Sequence, residues 1–63
     1  MTPIQLHFLE PGDRVRRRGK VSNQIVRGIV VYFELDTQTV DAVKIRDTMY
    51  QREELLREWD IVP

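Results

Sequence analysis

Between Ile25 and Phe33 the chain reads Ile-Val-Arg-Gly-Ile-Val-Val-Tyr-Phe, β-branched and aromatic residues broken by one glycine and one charge. Such a run packs well on a pleated surface, so it predicts a central strand from Ile25 to about Leu35. It is too long, and too apolar on both faces, for a simple amphipathic strand. Gly28 therefore predicts a bulge or sharp coil that lets one strand serve both halves of a small barrel.

The remaining elements follow from that strand. Upstream, Pro11 and Gly12 punctuate a turn in which Asp13 can bond local backbone. A first strand over Asp13 to Arg18 then places Val15 inward. Arg14, Arg16 and Arg18 share the opposite face, with Arg17 on the side of Val15. Gly19 allows a bend into the polar loop Ser22-Asn23-Gln24. Downstream, Leu35-Asp36-Thr37-Gln38 reads as a hairpin loop, and Thr39 to Arg46 as a third strand with Val43 and Ile45 inward. Asp47-Thr48 turns the chain into a short strand, Met49 to Gln51. From Gln51 to Trp59 the period changes. Leu55 and Leu56 fall on the side of Trp59, and Glu53 and Arg57 form an i,i+4 pair, so one or two helical or 3₁₀ turns precede a closing strand. At the N-terminus Ile4, Leu6 and Phe8 alternate with Gln5 and His7. That alternation predicts an edge strand or a tethered arm over residues 1–10, able to pair with a partner, ahead of a barrel over residues 11–63. The fold class is all-β: a five-stranded barrel with a short helical turn before the last strand.

Size and composition narrow the function. A chain of 63 residues holds one domain and buries only about 60% of its unfolded surface. With no cysteine and one histidine, disulfides, thiolate metal sites and His-rich metal sites are excluded, and no cofactor is expected. A reducing cytoplasm fits. The N-terminus lacks a basic region followed by a long apolar one, and no apolar run approaches the ~20 residues a membrane span needs, so a soluble, unprocessed protein is expected. Ten basic and ten acidic residues cancel, but unevenly. Arg14, Arg16, Arg17, Arg18, Lys20 and Arg27 follow one another with no acid among them. From Glu34 onward eight acids face four bases. This asymmetry predicts either a bipolar binding surface or strands that pair electrostatically within the fold.

Pro11-Gly12-Asp13-Arg14-Val15-Arg16, the Arg27-Gly28-Ile29-Val30-Val31 strand, Val43-Lys44-Ile45 and the closing Leu55 to Val62 together resemble the SH3-like small barrels of the KOW, Tudor and integrase C-terminal type. The resemblance spans about residues 10–63 and implies fold more than activity. These barrels carry a glycine-rich loop after strand one, where this chain has Lys20-Val21-Ser22-Asn23-Gln24. The same opening, with Gly28-Ile29-Val30, is also similar to the plasmid-borne type II dihydrofolate reductases, tetramers of such barrels around a shared pore. That similarity places the pore lysine near Arg17 and the Val-Gln-Ile-Tyr strand on Asp47-Thr48-Met49-Tyr50. Only Tyr50 matches, which implies a shared fold without the shared activity.

The sharpest candidate site is the basic first hairpin. Arg14, Arg16, Arg18 and Lys20, joined by Arg27, can contact phosphates, with Tyr32 or Tyr50 offering a ring on which a base stacks. Alternate residues of a strand emerge on one face about 6.8 Å apart, close to the separation of successive phosphates. The competing reading pairs these cations with acids such as Asp41, Asp47 or Glu58. Trp59 reads as core and His7 as surface. Glu53, Glu54, Glu58 and Asp60 read as carboxylates facing water, and no catalytic residue is assigned. The function expected is a non-catalytic binding module, with nucleic acid preferred, a protein partner second and a reductase-like oligomeric enzyme third. The oligomeric state is left open.

Overall fold

The computed structural model describes all residues 1–63. Five antiparallel strands form one curled sheet, a half-barrel that takes in 51% of the residues, with one short helix before the last strand. The strands are β1 (Arg14–Arg17), β2 (Asn23–Glu34), β3 (Thr37–Ile45), β4 (Thr48–Gln51) and β5 (Trp59–Ile61), and the sheet order is β4-β3-β2-β1-β5. The helices are α1 (Pro3–His7) and α2 (Arg52–Glu58).

As expected, β2 is the element that joins the two halves. Its first residues pair with β1, Arg14 opposite Ile25 and Arg16 opposite Asn23. The rest pairs with β3 out to Glu34 opposite Thr37. The register shifts between Val26 and Gly28, so the bulge falls where the interior glycine predicts it, and shifts again between Val30 and Val31. The first extra residue, Arg27, lies in β2 and the second, Asp41, in β3; each bends its strand and increases its twist, which curls the sheet instead of leaving it flat. The turn between β2 and β3 is tighter than the four-residue loop expected. Leu35 and Asp36 alone make it, at φ of 49° and 69°, the left-handed pair that a two-residue hairpin requires.

The core forms where the inner faces of the sheet meet the two helices. Val15, Val26, Val40, Val43 and Ile45 come from the strands, Leu6 and Leu55 from the helices, and Met1, Leu9 and Trp59 complete it. Val43, Ile45 and Trp59 are thus inward as their alternation and position predict. The turn before β1 also behaves as Asp13 suggests: its Oδ2 accepts the Glu10 N–H at 2.9 Å. The Gly12 amide donates to the Val26 carbonyl at 2.8 Å, and the Val26 amide donates to the Asp13 carbonyl at 2.9 Å.

The expectation for the N-terminal segment is corrected too. Residues 3–7 form a helix, not an extended edge strand. Thr2 is its N-cap and Pro3 opens it. The Thr2 hydroxyl accepts the Gln5 amide at 3.1 Å, while the Gln5 side chain accepts the Thr2 amide at 2.9 Å. This reciprocal capping box satisfies two of the helix's orphan donors. The helix turns Leu6 into the core and leaves Ile4 and Phe8 exposed, so the three do not share a face. α2 places Glu53 and Glu54 in its first turn and Arg57 in its last, charges matched to the helix dipole. It buries Leu55 and is α-helical, not 3₁₀. No helix is long and apolar enough to cross a membrane.

Candidate nucleic-acid interface

Strand alternation sorts the arginines of β1 onto two surfaces. Val15 is buried, so Arg14 and Arg16 stand on the outer face, both exposed, while Arg17 turns toward the concave side. β5 lies along the other edge of β1, setting Arg16 opposite Asp60 and Arg17 opposite Trp59.

Two of the arginines are held within the fold. The Arg17 guanidinium bonds Glu58 at 2.7 Å and lies 5.9 Å from the ring centres of both Tyr50 and Trp59. Arg18 bonds Asp60 at 3.1 Å and donates to the Arg57 carbonyl at 2.9 Å. The hydrogen bonds from these guanidiniums lower the pKa of Glu58 and of Asp60 below the ordinary carboxylate values, against a smaller upward push from desolvation. The reciprocal bonds raise Arg17 and Arg18. Part of the competing reading therefore describes the structure: basic residues of β1 and of the turn after it pair with the acidic C-terminal segment. The acids are Glu58 and Asp60, whereas Asp41 and Asp47 form no such pair.

Arg14, Arg16, Lys20, Arg27, Lys44 and Arg46 make no ion pair. Lys20 and Arg46 meet Arg17 at the mouth of the half-barrel, a cleft of about 420 Å³. Ser22, Gln24 and Thr48 add neutral polar groups, and Ile45, Tyr50 and Trp59 complete the lining. No carboxylate lines this cleft, and with Arg17 neutralised by Glu58 its uncompensated charge is that of Lys20 and Arg46. The Trp59 indole N–H is buried without an acceptor. Arg46 is held at a φ of 57° in the turn between β3 and β4, and it also lines a second, shallower cleft with Arg27, Lys44 and Asp47. No group of three or more His, Cys, Asp or Glu side chains is placed to hold a metal ion.

The seven candidate residues thus do not form one patch. Arg14 and Arg16 lie together on the outer face of β1, next to Arg18, which is tied to Asp60. Lys20 and Tyr50 come together at the mouth. Arg27 sits in the second cleft, and Tyr32 stands exposed on the β2–β3 hairpin. Sequence reasoning missed Arg46 and Lys44. Alternation along the third strand makes both plain outward residues, and nothing local signals that the strand ends at Ile45, that Arg46 adopts a positive φ and that it bridges two clefts.

The chain matches no protein-family model, no curated protein and no solved structure.

Proposed function

We propose that this protein is a non-catalytic SH3-like small-barrel module that binds nucleic acid weakly, without sequence preference, through the basic first hairpin and the cationic mouth beside it. One observation carries this reading. Arg14 and Arg16 are exposed without an ionic partner, and around the corner of the same hairpin Lys20 joins Arg46 over a cleft that no carboxylate lines. Two separated clusters of free cations suit a backbone that runs over the sheet edge. Contacts of this kind go to phosphate, and they position the chain without reading sequence. The cleft has room for a group of about nucleotide size, within the roughly 300–1,000 Å³ typical of small-ligand sites. The reductase-like reading is not favoured. Arg17, at the place of the pore lysine, is tied to Glu58, and Thr48 and Met49 stand where a glutamine and an isoleucine would read the cofactor.

The test is fluorescence anisotropy with single-stranded and duplex oligonucleotides over a salt series. The expected slope of log affinity against log salt is about two to three, from three or four phosphate contacts. Affinity that is absent at low salt, or independent of salt, overturns the reading.

A further inference from the structure

The β2–β3 hairpin runs out beyond the rest of the sheet and contributes to an elongated molecule, 39 × 21 × 18 Å. β1 covers β2 only over Asn23 to Ile25, and the turn before it extends that cover to Val26. From Arg27 to Glu34 the outer edge of β2 has no backbone partner, and no side chain bonds to it. The far edge of the hairpin differs, because there Arg52 donates to the Val40 carbonyl at 3.0 Å. Past the bulge at Arg27, Gly28 to Phe33 on the open edge contains neither a charge nor a proline, two of the devices that ordinarily keep an edge strand from pairing. Three of its side chains face solvent: Val30 is 42%, Tyr32 56% and Phe33 67% exposed.

The charges decide what this edge accepts. At the base of the hairpin stand Arg27, Lys44 and Arg46 against one acid, Asp47, and at its tip Glu34 and Asp36, none of them in an ion pair. A ribbon with a cationic base and an acidic tip complements a copy of itself laid antiparallel, tip against base. Laid tip to tip, two copies would repel. We propose that β2 pairs edge to edge and antiparallel with β2 of a second copy of this chain, about a twofold axis near Val30 and Val31. The pairing joins two curled sheets into one continuous sheet. Arg27 of each copy lies beside Glu34 of the other, and Val30 and Tyr32, which share one face of the ribbon, meet their copies near the axis. The inference does not rest on nucleic-acid binding, since Arg14 and Arg16 lie outside the contact.

Sedimentation equilibrium over a range of protein concentrations tests it. The wild-type chain is expected to dimerise reversibly, and amides between Gly28 and Glu34 should gain hydrogen-exchange protection as concentration rises. Arg27→Glu and Glu34→Arg should each weaken the dimer by about tenfold, because each replaces two cross-strand attractions with repulsions. The double variant R27E/E34R should restore it. Both side chains are exposed and outside the core, so circular dichroism of the variants should be unchanged. A chain that stays monomeric at every concentration overturns the proposal. So does a dimer indifferent to both single changes, or one that the double change fails to restore, and a lack of added protection in the wild type overturns it without any variant.

Discussion

Leu35 sits at a φ of 49° with 93% of its surface exposed, a conformation that suits Asn or Gly and costs a branched side chain about 1 kcal/mol or more. Replacing Leu35 with Asn is therefore expected to stabilise the hairpin by about 1 kcal/mol, read as a raised thermal midpoint. The three glycines divide in a way the sequence does not show. Gly12 and Gly19 lie at φ of 97° and 82°, so alanine there is expected to cost about 1 kcal/mol or more. Gly28, the bulge glycine, has no positive φ, and a Cβ built on it meets only the Lys44 Cβ at 3.9 Å. Gly28→Ala is expected to be neutral or slightly stabilising in the same melt. The bulge was legible because a lone glycine in an apolar run has few other uses. The two-residue turn was not, since Leu35-Asp36 lacks the Asn-Gly or Asp-Gly pair that marks one, and its left-handed backbone is imposed by the pairing of β2 with β3 on either side.

At the scale of elements, the five strands and the closing helix follow from periodicity, while α1 follows from a local signal that periodicity hid. Ile4, Leu6 and Phe8 alternate like a strand, and a helix of five residues with one buried position has no room to show a 3.6-residue period. Thr2-Pro3 followed by Gln5 is the legible mark: an N-cap, a first-turn proline and the third-position partner of a capping box. Thr2→Ala should cost about 1 kcal/mol. Leu6→Ala should cost about 2–5 kcal/mol, because Leu6 is completely buried. A domain this small has only a few kcal/mol to lose. Deletion of residues 1–9, which removes Met1, Leu6 and Leu9 from the core, is therefore expected to unfold the domain and not merely to free an arm. Loss of the folded circular dichroism spectrum and of cooperative melting would confirm it, and a truncated chain that melts normally would refute it.

On the scale of the whole molecule, a net charge of zero conceals a division of labour among cations that one sequence stretch makes look alike. The alternation in Arg14-Val15-Arg16 was enough to assign those arginines to the outer face. It could not show that the chain returns through β5 and brings Glu58 and Asp60 against the next two arginines, because that meeting spans some forty residues. Exchanging Arg17 and Arg18 for glutamine should lower stability while leaving the salt slope of nucleic-acid binding nearly intact. The loss should depend on pH with a definite sign. Glu58 and Asp60 have lowered pKa values in the fold, so their contribution is fully present above the ordinary carboxylate range near about pH 4 and disappears as pH falls through the folded values. The variant and the wild type should therefore differ at neutral pH and converge in acid. Exchanging Arg14 and Arg16 for glutamine should do the opposite, changing the melt little, since only the weaker attraction of Arg16 for Asp60 is lost, and reducing the salt slope by about 1.4–1.8, about 0.7–0.9 for each phosphate left without its cation. Melts from acid to neutral pH, run beside salt-dependent anisotropy on both double variants, separate the roles. If the Arg14 and Arg16 pair proves to carry stability, or the Arg17 and Arg18 pair the salt slope, the outer face of β1 is not the binding surface.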